Sequence, residues 1–422
     1  MKRIAALTLL LALAALPLVA KPTTPRTATQ KAVQEADADG PLSQSIWGIC
    51  AVNVKGDTLA WLNASRRMVP ASNMKLITTG AALLSFGGDY TYKTRFATDG
   101  EVCDSVLVGN LYIIGGGDPM IGNLFSYLPA PETTFKSWFK VLQSNGIKQI
   151  TGDIVGDGSY FDAIQRHTDW SVEDVATRDG VVPSGLTWRG KMKDTIPDGP
   201  YPAALHFLEW LRADSTFSVA GSAREGTADS LVTLGEVKSR PLRSLVRTAN
   251  CQSDNFIAET LAKSIGMRYA GDDEYSAIPA AMRKSLSPIG LASASGKMRF
   301  ADGSGLSRKN YISPSFMVRY LLAMAGSKAY RDFFASLPRA GEKHTTLSNR
   351  LTGADPALKN RIRMKSGSMN GVNCLSGYIV SGDDDPSKTI AFSILTNNSV
   401  DPSRVVYQQI DALLETLAKE NQ

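Results

Sequence analysis

Histidine and cysteine are scarce in this chain: 422 residues hold three histidines and four cysteines. His167, His206 and His344 are isolated, and no G-x-S-x-G elbow occurs anywhere, so a Ser-His-Asp hydrolase is a poor fit. Cys50, Cys103, Cys251 and Cys374 are far apart and match no zinc spacing. Without a ligand cluster, neither a metal nor another cofactor is expected. An oxidising compartment permits a disulfide, while buried free thiols on strands fit the same sequence equally well. The triple glycine Gly115-Gly116-Gly117 lacks both the G-x-G-x-x-G and the P-loop lysine patterns, and reads as a tight turn. Charge of one sign is nowhere concentrated. The formal net charge is +6 with both signs interspersed, and no basic stripe alternates with aromatics, which argues against a nucleic-acid partner.

Long apolar runs are missing too, save one. Lys2 and Arg3 precede the apolar stretch Ile4 to Leu16, and Leu18-Val19-Ala20 ends on a small residue, so residues 1–20 read as an export signal cleaved near Lys21. The mature chain is expected in the periplasm or cell envelope, with no transmembrane segment after cleavage. Cys50 lies too far downstream to carry an N-terminal lipid.

What is present suggests two or three domains. Residues 21–41, rich in Thr, Ala, Asp and Pro, read as a flexible lead-in. Ile46 to Val54 and Thr58 to Leu62 alternate like strands of a hairpin turning at Lys55-Gly56-Asp57. A helix is predicted from Ser72 to Ser85, stopped by Gly87-Gly88. From about Arg95 to Gly235 the texture changes to short strands and turns, that of a separate α+β insert. Helical character returns from Leu242 to Tyr269, across Ser253, and from Ser313 to Ala325. Leu375 to Val380 and Thr389 to Leu395 read as antiparallel strands across Gly382 to Pro386. The last segment is an amphipathic helix with Val406, Ile410, Leu413, Leu414 and Leu417 on its apolar face. Strands at both ends with helices between predict one sheet built from the two termini.

Three motifs fall in order along this framework: Ser72-Asn73-Met74-Lys75, Ser253-Asp254-Asn255 and Lys365-Ser366-Gly367. Chance gives a chain of this length roughly one or two Ser-x-x-Lys tetrapeptides, and Ser137-Trp138-Phe139-Lys140 is such a decoy. Ser72 starts a helix, where free N–H groups favour a developing oxyanion, and Lys75 lies one turn on, placed to act as base if desolvated and crowded by a second cation. Lys365 is the candidate for that cation. Ser253 offers a hydroxyl relay and Asn255 an amide to orient substrate or Lys75, with Asp254 pointing away. Gly367 permits close approach of an extended peptide, and Lys365 attracts a terminal carboxylate. The N–H groups of Ser72 and Ser368 are the candidate oxyanion hole. Taken singly, each motif also describes a capped helix, a polar turn or a surface lysine.

Longer strings add weight: Val69 to Leu76, Gly115 to Pro119, Ile150 to Ile154 and Asp302-Gly303-Ser304-Gly305-Leu306-Ser307-Arg308. Over nearly all of the mature chain, the sequence resembles the D-alanyl-D-alanine carboxypeptidase/endopeptidase family of low-molecular-mass class C penicillin-binding proteins. The resemblance implies an α+β fold, with a β-lactamase/transpeptidase-like core (an antiparallel sheet flanked by helices) in residues 42–95 and 240–422. Residues 96–239 would form an inserted α+β accessory domain, shorter than in the larger family members. It also implies an acyl-enzyme on Ser72, peptidoglycan stem peptides and cross-links as substrates, and acylation by β-lactam antibiotics. Lys75, Ser253, Asn255 and Lys365 would complete the catalytic set, with Ser366, Gly367, Ser368, Asp157 and Arg308 shaping the substrate pocket. A serine β-lactamase shares the acylation machinery, but the insert and the longer strings favour the peptidase. An idle wall-binding or antibiotic-sensing module would not need the complete set of motifs. The oligomeric state stays open.

Overall fold

The computed structural model describes residues 28–39, 44–122, 132–161, 166–175, 182–189, 199–381 and 389–420. The expected export signal and the Gly382 to Pro386 turn lie outside them. Among the described residues, no helix is long and apolar enough to cross a membrane.

The central sheet is antiparallel, in the order Ile362–Met369, Val372–Ile379, Ile390–Asn397, Ile46–Asn53, Thr58–Leu62. Strands from the two ends of the chain therefore lie side by side, with Ile46 opposite Asn397 and Asn53 opposite Ile390. Alternation along Ile46–Asn53 sends side chains to two different cores. Cys50 and Val52 pack with Leu76, Ile77 and Met317 of the helices on one face, whereas Ile49 and Ala51 pack with Ile410 and Leu414 of the C-terminal helix Ser403–Glu420 on the other. All five apolar positions expected on that last helix are buried.

The expected flexible lead-in is corrected over residues 28–39: Ala28–Asp39 is helical and held to the strand Thr58–Leu62 and to the C-terminal helix. Gln30 accepts from the Trp61 N–H at 2.6 Å and donates to the Trp61 carbonyl at 3.1 Å, while the Thr29 hydroxyl donates to Glu420 at 2.7 Å. Val33 is buried against the sheet core. Composition signalled disorder because these partners lie at a distance in sequence.

Between the first and second motifs the chain leaves this core. It forms a five-stranded sheet, ordered Ala223–Glu225, Ile154–Asp157, Leu111–Ile114, Lys93–Thr98, Val232–Lys238, and a smaller four-stranded one. Helices Glu132–Ser144 and Tyr201–Arg212 bury Phe135, Trp138, Phe207 and Leu211 into a separate hydrophobic cluster. The decoy Ser137 belongs to this part, its hydroxyl bonded to the Thr133 carbonyl.

All four cysteines are free; Cys50, Cys251 and Cys374 are buried and Cys103 is exposed. Desolvation pushes the buried thiols up, Cys251 to about 11, which makes them inert packing residues.

Candidate active site

Met74–Phe86 is the helix expected from Ser72 to Ser85, and the 3-10 turn Ala71–Asn73 leads into it. Ala71 takes a left-handed φ of +45°, so the chain turns sharply before Ser72. The helix is buried on nearly every side, and this encloses Lys75 completely. Its Nζ lies 3.0 Å from Ser72 Oγ, 2.5 Å from Asn255 Oδ1 and 2.8 Å from the Ser304 carbonyl. Both of the latter are acceptors only. A neutral amine that donates its two N–H groups to them is left with its lone pair toward the Ser72 hydroxyl, the geometry of a general base.

The single helix expected across Ser253 is two. Leu242–Gln252 ends at Ser253, which adopts φ +57°, and Asn255–Ala270 begins afresh. Asp254 caps the second helix through the Ile257 N–H and pairs with Arg189 at 2.8 Å, so it does point away. The break turns Ser253 and Asn255 inward. Ser253 Oγ lies 2.9 Å from Lys365 Nζ, which also donates to the Ser366 carbonyl. Lys365 is fully buried, and its pKa is held well below the usual lysine range, first by desolvation and then by the charge of Lys75.

Lys365-Ser366-Gly367 lies within the edge strand Ile362–Met369. The strand runs beside the nucleophile turn so closely that a methyl group on Gly367 would sit 2.9 Å from the Ser72 amide nitrogen and from the Pro70 carbonyl. Tyr407 of the C-terminal helix braces it from behind, donating to the Gly367 carbonyl at 2.8 Å.

A cleft of about 400 Å³ opens over these groups, lined among others by Ser72, Ser253, Asn255, Arg308 and Ser368. Arg308 donates to the Asn370 carbonyl at 2.7 Å at its rim. Ser366 turns its hydroxyl to Thr346 and does not line the cleft. Asp157 is not brought there either. It is paired with Ile114 in the insert's sheet, its carboxylate accepts from the Ser159 N–H, and it is not among the residues that line this cleft.

Several lining residues escaped sequence reasoning. Ser171, Glu173 and Asp174 of the insert form part of the wall, and no motif signals them. The segment is anchored by Trp170, whose indole donates to buried Asp302 at 2.9 Å, and by His167 against the Ala301 carbonyl at 3.0 Å. Asp302 also accepts from the Gly305 and Ser307 N–H groups, folding the Asp302 to Ser307 loop that reaches Lys75. Gly305, at φ +88°, presses on the Ala71 carbonyl where no side chain would fit.

Comparison with known proteins accords with this geometry. The D-Ala-D-Ala carboxypeptidase 3 (S13) family matches residues 29–195 and 213–417. A D-alanyl-D-alanine carboxypeptidase from an Actinomadura species is 27% identical, over 90% of this chain and 82% of its own length. Carboxypeptidase DacB of Mycolicibacterium smegmatis is 26% identical over 83% and 75%. In fold, the crystal structure of penicillin binding protein 4 from Haemophilus influenzae superposes with a TM-score of 0.75 at 21% identity, covering 93% of this chain and 99% of that one.

Proposed function

Because the chain belongs to the D-Ala-D-Ala carboxypeptidase 3 (S13) family, we propose that Ser72 is the residue acylated in its reaction and Lys75 the base that activates it. The protein is a serine-type D-Ala-D-Ala carboxypeptidase/endopeptidase of the cell envelope, a penicillin-binding protein acting on peptidoglycan stem peptides. The observation that carries the assignment of roles is the placing of Lys75 Nζ within hydrogen-bond reach of the Ser72 hydroxyl, the Asn255 amide oxygen and the Ser304 carbonyl.

In the step this arrangement supports, Ser72 Oγ attacks the carbonyl of the penultimate D-Ala as its proton passes to neutral Lys75. The oxyanion that forms is held by the N–H groups of Ser72 and Ser368. Collapse breaks the C–N bond, and the proton reaches the leaving D-Ala nitrogen by way of the Ser253 hydroxyl. Water then attacks the ester and frees Ser72. Lys365, with Gly367 and Ser368 on the same strand and Arg308 at the rim, receives the terminal carboxylate of an extended peptide. A β-lactam offers a carbonyl and a carboxylate to the same groups.

The separate sheets support a reading of residues 42–95 and 240–422 as the penicillin-binding unit and 96–239 as the inserted one, with the insert's sheet beginning slightly earlier, at Lys93. The test is labelling with a fluorescent penicillin followed by peptide mass spectrometry. An adduct on the Ser72 peptide, lost in Ser72→Ala, supports the assignment; an adduct at Ser137 or Ser253 refutes it.

A further inference from the structure

We propose that Glu259 is a positioning residue for the acylation step, acting through the Gly303-Ser304 backbone to aim the Lys75 lone pair at Ser72. The inference rests on the roles proposed above for Ser72 and Lys75. Glu259 stands one helical turn after Asn255 on the same helix, so both point toward the same side. Asn255 bonds Lys75 directly, whereas Glu259, fully buried, accepts from the Ser304 N–H at 2.6 Å and the Gly303 N–H at 3.1 Å. From the opposite side the Thr78 hydroxyl, one turn beyond Lys75, donates to the Gly303 carbonyl at 2.6 Å. The loop is thus clamped between two helices, and the Ser304 carbonyl it presents takes one of the Lys75 N–H groups at 2.8 Å. If that carbonyl shifts, an N–H is free to rotate toward Ser72 Oγ and the lone pair turns away.

Several ionisable groups face Glu259. Asp302 lies close on the same loop and raises its pKa, Tyr275 shares its surroundings, and Lys75 lies across the Ser304 peptide. Lys263, one turn further along the helix, is bonded to Asp273 at 2.7 Å. Desolvation dominates and holds the Glu259 carboxyl at about 7, so its charge changes within the working pH range.

The test uses the full chain, with the acylation rate and the non-covalent dissociation constant for a fluorescent penicillin measured from pH 5 to 9 beside thermal melting. Glu259→Gln keeps one acceptor where two N–H groups need them. It should slow acylation about tenfold with non-covalent binding unchanged, and it should move the acidic limb to lower pH, because a nearby negative charge no longer favours a proton on Lys75. Thr78→Val, which releases the clamp from its other side without touching Glu259, should also slow acylation with unchanged binding. Its result decides the matter if Glu259→Gln fails to fold. Folded variants that both acylate at the wild-type rate with the wild-type pH profile overturn the proposal. A wild-type protein that takes no label overturns the assignment of Ser72 instead, and this inference with it.

Discussion

Gly367 approaches Ser72 so closely that a single added methyl group would stand 2.9 Å from the serine amide nitrogen. The edge strand and the nucleophile turn are therefore held at backbone contact. Replacing Gly367 with Ala must push the two apart, because the obstructing atoms are backbone and cannot swing aside. Such overpacking costs about 1–3 kcal/mol. Gly367→Ala should melt at a lower temperature and lose more acylation rate than stability, as read by stopped-flow labelling alongside thermal denaturation.

Lys365 sets stability against function. Its pKa is depressed in the folded protein, so folding favours the neutral amine. That contribution is fully present above the ordinary lysine pKa and is lost as pH falls toward the depressed value, which makes Lys365 a liability at neutral pH. Lys365→Met should raise the melting temperature at pH 7, by about 1–3 kcal/mol in free energy, while weakening capture of the terminal carboxylate at every pH. Protons on Lys365 and Lys75 disfavour one another, so with Met at position 365 Lys75 keeps its proton to higher pH and the acidic limb of the acylation profile should move to higher pH. An unchanged limb would show that the two lysines do not interact in the working enzyme.

Asp302 joins the insert to the catalytic loop. Its fully buried carboxylate accepts from Trp170, Gly305, Ser307 and Asn310. Asp302→Ala leaves those donors unsatisfied, a loss of about 3 kcal/mol or more. Limited proteolysis should then cut near residues 166–175, and acylation should fall as the loop carrying the Ser304 carbonyl loosens. Resistance to protease equal to that of wild type would refute the anchoring role.

Glu259 predicts a pH-dependent stability. With the folded pKa at about 7 against an ordinary value of 4.5, its contribution is fully present below the ordinary value and lost as pH rises through 7. The change is on the order of 3 kcal/mol. Glu259→Gln lacks this titration, so its deficit relative to wild type should shrink between pH 4.5 and 7.5. Denaturant titrations at the two ends of that range measure it, and a constant difference would count against the raised pKa.

Periodicity and local chemistry determined much of this protein. The hairpin from Ile46, the helix after Ser72 and the amphipathic C-terminal helix follow from alternation, glycine stops and apolar spacing, all written within a few residues. The three motifs were legible because their residue types carry chemistry in a fixed order. Tertiary structure alone decided the rest. Only packing shows that Lys75 is enclosed between Asn255 and the Ser304 carbonyl, since those partners are 180 and 229 residues away. Only the left-handed turn at Ser253 shows that one expected helix is two, with Ser253 and Asn255 aimed inward by the break and Asp254 turned away. The helix at Ala28–Asp39 forms because Trp61 and Glu420 meet it, and composition cannot register partners so distant. The family resemblance puts Asp157 at the pocket, whereas the fold pairs it with Ile114 in the insert's sheet. Glu259 carries no motif at all, and its place behind Lys75 exists only once the helix and the Gly303-Ser304 loop are folded together.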